Sequence, residues 1–178
     1  MSRSHAHSCA CSNIFQIIEK ALCNPNDGLK DVEKFSPGTF DKILLDPPCS
    51  ALGLRPKLFV TQRNIKEVTK HASYQIKFVN QTVSLLKPGG LMTYSTCTMS
   101  SAENEGVVAQ LLVDHPSMEL VALPGPAPVH LGKPGLAGCG LSERERMLVR
   151  RFDPGDASSQ DTMGFFIALL RKRHEHTK

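Results

Sequence analysis

The sequence contains no Trp, and aromatic residues make up only 6% of the chain. A hydrophobic core is therefore expected to rest on Leu, Val and Ile rather than on large rings. No stretch approaches the roughly 18 consecutive apolar residues that a membrane-spanning helix needs. The amino-terminal stretch MSRSHAHSCACS lacks the apolar segment of a secretory signal. These absences argue against a membrane-spanning or a secreted protein.

Cysteine pairs of the CxxC type are also missing. The six cysteines are scattered at positions 9, 11, 23, 49, 97 and 139. Without a secretion signal we expect reduced thiols in an intracellular protein, with the cytoplasm favoured over the nucleus or an organelle. A pair such as Cys49 and Cys97 then suits catalysis better than a disulfide. The short His/Cys tract over 5–11 matches no zinc motif, so we predict no metal site.

The charge balance is nearly even. The 178 residues include 21 Lys and Arg against 17 Asp and Glu, a net charge of +4. This balance permits an anionic partner such as nucleic acid but does not require one. The length suits a single domain with a substantial core. We expect a disordered segment over 1–12, one partial domain over 13–172 and a basic tail over 173–178.

Apolar periodicity and turn residues divide the chain into alternating helices and strands. The predicted helices span 13–23, 64–87 and 100–114, and the predicted strands span 42–46, 90–96, 118–123 and 163–172. A loop rich in Pro and Gly is predicted over 124–140. Strands that alternate with helices are typical of a doubly wound α/β sheet, which is the fold class predicted here.

Two unusual segments follow the first two predicted strands. DPPCS follows KILL and contains Asp46 and Cys49, whereas STCT ends the second strand and contains Cys97. Ligands gather at the carboxyl ends of strands in such sheets, so these three side chains are expected in one cleft. A following helix N-terminus would favour the Cys97 thiolate. The alternatives are a small buried Cys97 and a simple turn at DPPC.

Polar residues beside the cysteines have several open roles. Ser50, Thr96 and Thr98 could orient their neighbours through hydroxyl groups, or could only cap and turn the chain. Asn104 and Glu105, in the stretch AENE, are predicted to open the third helix and to stabilise its dipole.

Three segments together resemble one enzyme family. They are ILLDPPCSALGLRP, LLKPGGLMTYSTCTMSSAENE and RFDPGDASSQDTMGFFIALL, within roughly residues 40–170. They resemble the Nol/Nop/Sun (RsmB-type) RNA cytosine-5 methyltransferases, and most of all the tRNA-modifying branch around the sixth Nop/Sun-domain member. Two residues depart from the family pattern, since Pro47 stands where Ala is usual and Ala51 where Gly is usual.

The resemblance implies a mechanism, a cofactor and a partner. By this likeness Cys97 attacks C6 of cytosine, Cys49 assists release, and Asp46 binds the N3/N4 edge of the base. The methyl donor would be S-adenosylmethionine, with Asp46 and Asp27 as candidate contacts, although a role as a turn-former explains Asp27 more easily. The partner would be RNA, and tRNA in particular.

The family's donor-binding half is not evident in this sequence. The only Gly-Gly pair, Gly89-Gly90, follows a predicted helix rather than a first strand. The chain therefore resembles the carboxyl half of a Rossmann-like methyltransferase sheet. Three interpretations remain open: part of an active RNA methyltransferase, a non-catalytic remnant that binds RNA or protein, and an amino-methyltransferase that uses the DPP loop.

Overall fold

The computed structural model describes residues 35–54, 65–124, 132–155 and 162–174. The predicted helix over 13–23, the candidate cofactor contact Asp27 and the predicted disordered segment over 1–12 lie outside these residues. Within them, no helix is long and apolar enough to cross a membrane.

Five strands form one mixed sheet in the described part of the chain. They are β1 (Phe40–Leu45), β2 (Leu86–Thr96), β3 (Met118–Leu120), β4 (Arg150–Phe152) and β5 (Phe165–Lys172). β1 and β2 run parallel, as predicted, and β5 pairs antiparallel with the other side of β2. β3 and β4 both pair antiparallel with the far edge of β5, each along a different part of it. The predicted α/β sheet is confirmed, with an antiparallel strand at its centre.

Three helices accompany the sheet: α1 (Ile65–Leu85), α2 (Glu105–Asp114) and α3 (Glu143–Arg146). The prediction for α1 is confirmed to within a few residues. α2 begins later than predicted, because residues 101–104 form turns rather than helix. α3 and β4 were not predicted, since four and three residues are too few to show a period.

The core lies between the sheet and the helices. Val79 and Val83, one turn apart on α1, are at most 4% exposed, and Val108 and Leu111 on α2 are at most 1% exposed. Phe166 on β5 is fully buried. Its ring contacts that of Tyr94 on β2 edge to face, with centroids 6.4 Å apart. The ends of β1 and β2 are therefore attached to a packed scaffold.

One edge of the sheet has no neighbour among the described residues. β1 pairs with β2 on one side, and within the four described ranges no strand pairs with its other side. Leu44 near the end of β1 is 40% exposed. An uncovered edge of this kind can accept a further strand.

Candidate active site

The loops after β1 and β2 bring Cys49 and Cys97 together. Parallel strands end at the same edge of a sheet, so the segments that follow them are neighbours. The two Sγ atoms lie 3.3 Å apart, within hydrogen-bond distance for sulfur, and both residues are free thiols of intermediate exposure. Residues 48 positions apart in sequence thus form one thiol pair.

The hydrogen bond between the thiols makes the two sulfurs unequal. A hydrogen bond from Cys49 lowers the pKa of Cys97 to about 7, against an opposing effect of burial. The same contact, together with burial, raises the pKa of Cys49 well above the usual thiol range. Cys97 is therefore the thiolate of the pair and Cys49 the donor. The predicted cause, a helix beginning just after Cys97, is wrong, because α2 begins only at Glu105.

Asp46 lies at the end of β1, beside the thiol pair. Burial raises the pKa of its carboxyl, and a hydrogen bond with Ser95 acts in the opposite direction. The charge of Asp46 raises the pKa of Cys97 in turn. A Coulombic effect of one group on the other requires proximity, so Asp46 lies near Cys97, whose sulfur contacts that of Cys49.

Two glycines join the Cys49 loop, the Cys97 strand end and the start of β5. The N–H of Gly53 donates to the Cys97 carbonyl at 3.0 Å, and the N–H of Gly164 donates to the Gly53 carbonyl at 2.8 Å. A Cβ on Gly53 would lie 2.2 Å from the Gly164 oxygen, so only glycine fits. Ala51, where the family usually has Gly, has a φ of 53°, in the left-handed region that favours Gly.

Asn104 has a different role from the one predicted. It occupies the N-cap position of α2, but its side chain makes no capping hydrogen bond. Instead its Oδ1 accepts from the Thr96 hydroxyl at 2.5 Å, and its Nδ2 donates to the Thr98 carbonyl at 3.0 Å. Asn104 thus binds the residues on both sides of Cys97. The Thr96 hydroxyl orients the Asn104 side chain, which is one of the two roles predicted for it.

Sequence reasoning missed three residues that build this site. Glu103 and Gln75 are fully buried and hold the Cys49 loop. Arg151 on β4 pairs with the buried Glu105 at 2.7 Å and donates to the Met99 carbonyl at 2.6 Å. Glu105 does lie in the first turn of α2, as predicted. One sequence signal could have pointed to such residues. It is the cluster of acids and amides in AENE, shortly after the strand end that contains Cys97.

The unequal thiols predict unequal alkylation. The rate of carbamidomethylation of Cys97 by iodoacetamide should rise with pH and reach half its maximum near pH 7, because only the thiolate reacts. Cys49 should react far more slowly over the same range, since its pKa is raised. Peptide mass spectrometry of the treated chain measures both rates. In Cys49→Ala the midpoint for Cys97 should rise, and a midpoint above pH 8 in the unmodified chain would contradict this assignment.

Comparison with known proteins assigns the chain to a family. The model of the family described as 16S rRNA methyltransferase RsmB/F matches residues 11–171. The rRNA (cytosine-C(5))-methyltransferase NOP2C of Arabidopsis thaliana is 43% identical over 146 residues, which cover 75% of this chain and 23% of the relative. The tRNA (cytosine(72)-C(5))-methyltransferase NSUN6 of Mus musculus is 37% identical over 179 residues, which cover 89% of this chain and 37% of the relative.

A solved structure agrees with the fold. The crystal structure of NSun6 from Pyrococcus horikoshii with SFG superposes with a TM-score of 0.64 at 38% identity, covering 81% of this chain and 33% of that chain. The chain thus spans well under half the length of the relatives it matches. Its mixed α/β sheet fits part of a Rossmann-like methyltransferase fold, and the predicted resemblance to this family is confirmed. The chain belongs to the RsmB/F family of methyltransferases.

Proposed function

We propose that this chain is the catalytic half of an RNA cytosine-C5 methyltransferase that acts on tRNA, with Cys97 as the nucleophile. The observation that carries the proposal is the pair of sulfurs 3.3 Å apart at the ends of two neighbouring parallel strands. A buried structural cysteine needs no thiol partner, whereas a nucleophile gains from one that stabilises its anion.

In the proposed first step the Cys97 thiolate adds to C6 of a cytosine that has left its stack. A C6–S bond forms, and the electron pair of the C5–C6 double bond moves toward C5 and the N3 edge. C5, a weak nucleophile in the free base, can then take a methyl group. The pKa of about 7 supports this role, since much of Cys97 is thiolate near neutral pH.

Asp46 is proposed to bind the N3/N4 edge of the base. Burial raises the pKa of the carboxyl, and negative charge that develops on the base would raise it further. A protonated carboxyl can donate to N3 as negative charge develops there, while its second oxygen accepts from the exocyclic amine.

Cys49 is proposed to act in release. Its thiol proton is held by the Cys97 thiolate in the resting site. Once Cys97 is bonded to C6 it carries no charge, so the hydrogen bond that kept Cys49 protonated is weakened and its pKa falls. Cys49 can then lose its proton to solvent and accept the C5 proton, as the C6–S bond breaks and the Cys97 thiolate returns.

The methyl donor is proposed to be S-adenosylmethionine, which supplies an electrophilic methyl group. SFG, present with the Pyrococcus horikoshii relative, is an analogue of it. Among the described residues, Asp46 directly after the free-edge strand β1 is the candidate contact with the donor, and no further strand pairs with that edge there. These residues alone do not form a donor site. We therefore propose that the rest of the donor site lies on strands that pair with the free edge of β1.

The finer predictions from sequence belong to the same proposal. They are tRNA as the substrate, a cytoplasmic location, Asp27 as a donor contact and a partial domain over 13–172. An amino-methyltransferase that uses the DPP loop is the second candidate, but it leaves the thiol pair without a purpose.

The test uses the chain and a chimera. In the chimera, residues of this chain replace the matching segment of mouse NSUN6, of which they cover 37%. We expect weak or no binding of S-adenosylmethionine by the chain in calorimetry, with circular dichroism to show that it is folded. We expect the chimera to form 5-methylcytidine in tRNA, measured by nucleoside mass spectrometry beside unmodified NSUN6.

Other outcomes of that experiment would contradict the proposal. A chimera that is folded and binds the donor, but forms no 5-methylcytidine in tRNA or rRNA, would indicate a non-catalytic relative. N4-methylcytidine as the product would instead support the amino-methyltransferase.

A further inference from the structure

The buried carboxylate of Glu103 binds the loop that carries Cys49. Its Oε1 accepts a hydrogen bond from the Ser50 hydroxyl at 2.6 Å, and its Oε2 accepts one from the Ser50 backbone N–H at 2.8 Å. Glu103 is 0% exposed and Ser50 is 1% exposed. One carboxylate thus fixes both the backbone and the side chain of the residue that follows Cys49.

Gln75 on α1 extends this contact to the other side of Cys49. Its Nε2 donates to Glu103 Oε2 at 3.2 Å and to the Pro48 carbonyl at 3.0 Å. The Tyr94 hydroxyl on β2 donates to the Glu103 carbonyl at 2.6 Å and so holds Glu103 itself. The residues before and after Cys49 are both tied to one buried carboxylate, which is anchored to the core.

The partners of this carboxylate explain why an acid stands at position 103. The backbone N–H of Ser50 and the amide Nε2 of Gln75 can only donate, and the Ser50 hydroxyl donates as well. A carboxylate accepts at every position around its two oxygens, whereas an amide of the same size would place an NH₂ against N–H donors. All three donors are uncharged, so burial of this charge is not offset by a cation among them.

We propose that Glu103 is a positioning residue that holds the Cys49 thiol against Cys97, and so controls both the activation of Cys97 and its release from RNA. A hydrogen bond between sulfurs depends steeply on the position of the donor, and the Cys49 loop has no regular structure of its own. The effect on release rests on the proposed function, but the effect on activation does not.

The first test needs neither RNA nor methyl donor. In Glu103→Gln the pH of half-maximal alkylation of Cys97 should rise by about one unit, because Cys49 no longer stabilises the thiolate. Loss of the Glu103 charge acts the other way, since that charge raises the pKa of Cys97. Among the effects on the pKa of Cys97, the Glu103 charge is the smallest and the Cys49 hydrogen bond is the largest. The alkylation midpoint of Cys97 is therefore expected to rise. Alkylation of each cysteine is followed by peptide mass spectrometry.

Thr82→Val is the matched control. Thr82 is 8% exposed, and its hydroxyl donates to the Phe78 carbonyl within α1 at 2.7 Å, away from both cysteine loops. Its substitution removes a buried hydrogen bond, as Glu103→Gln does, but should leave the alkylation midpoint unchanged. A purely structural role for Glu103 predicts no shift in the folded chain, so an unchanged midpoint would overturn the proposal.

A second variant covers the case in which Glu103→Gln does not fold. Gln75→Met keeps the carboxylate and its bonds to Ser50 but removes the bonds from Gln75 Nε2 to Glu103 and to the Pro48 carbonyl, so a smaller rise in the same direction is expected. No rise in folded Gln75→Met would likewise overturn the proposal.

The chimera tests the effect on release. With Glu103→Gln we expect kcat to fall, KM for tRNA to stay within about twofold, and the fraction of RNA held in covalent adduct to rise. An unmodified chimera that cannot methylate would contradict the proposed function alone. An active chimera in which Glu103→Gln changes neither adduct level nor alkylation would overturn the positioning role alone.

Discussion

Replacing Cys97 by alanine in the chimera is expected to lower methyl transfer at least about a thousand-fold and to eliminate the covalent RNA adduct. The reason is that Cys97 lies at the end of a parallel strand with its pKa lowered to about 7, whereas the pKa of the neighbouring Cys49 is raised. Methyl transfer is measured with radiolabelled donor under single-turnover conditions. The adduct is measured as an RNA-dependent shift of the protein in a denaturing gel.

Replacing Cys49 by alanine should have the opposite effect on the adduct. Attack by Cys97 can still occur, at a lower rate because its pKa rises, but nothing takes the C5 proton, and the C6–S bond persists. The adduct band should therefore grow while turnover falls. Cys139→Ala is the control, since within the described residues the hydrogen bond of its sulfur goes to the nearby Ala137 carbonyl at 3.6 Å and not to either cysteine loop, and both readouts should be unchanged. An adduct in Cys97→Ala would show that the two roles have been assigned wrongly.

The sequence was sufficient to predict this pair of cysteines as neighbours. Apolar runs located β1 and β2, and the rule that parallel strands end at one edge of the sheet placed DPPCS beside STCT. The order of the elements could not reveal that β5 runs antiparallel at the centre of the sheet. Strand direction depends on which surfaces pack together, and a buried strand has the same composition in either direction.

The sequence was misleading about AENE for a physical reason. Acids and amides before an apolar helix are usually solvent-exposed and interact with the helix dipole. Whether Glu103 points outward or inward depends on donors supplied by Ser50, which is 53 positions away, and by Gln75, 28 positions away. Local patterns contain no information on such partners, so the residues that hold the two cysteine loops appeared only in the structure.

A similar distant partner underlies the largest expected loss of stability, in Arg151→Met. Arg151 Nη1 lies 3.0 Å and 2.7 Å from the two carboxylate oxygens of Glu105, whose side chain is 0% exposed, and that of Arg151 is 12% exposed. Without Arg151, the buried carboxylate keeps only the N–H of Leu136 at 2.8 Å among the contacts described. Leaving a buried charge unpaired costs about 3–5 kcal/mol, a large share of the roughly 5–15 kcal/mol that stabilises a typical domain.

Urea denaturation of the chain measures this loss, and Arg171→Met provides the matched control. Arg171 on β5 pairs with Glu119 at 2.6 Å, but its side chain is 51% exposed and that of Glu119 is 34% exposed. Solvent screens that pair, so the same Arg-to-Met change should cost less than about 1 kcal/mol there. Equal losses of unfolding free energy in Arg151→Met and Arg171→Met would mean that burial of an ion pair does not determine how much it stabilises this chain.

A double variant separates the ion pair from the packing around it. In Arg151→Met with Glu105→Met, no charge is left unpaired, so most of the stability lost in the single variant should return. Arg151 also donates to the Met99 carbonyl, two residues beyond Cys97, and this bond is lost in both variants. Alkylation of Cys97 should therefore change in the double variant even as stability recovers. Recovery of both the stability and the alkylation rate of Cys97 would mean that Arg151 on β4 stabilises the sheet without positioning Cys97.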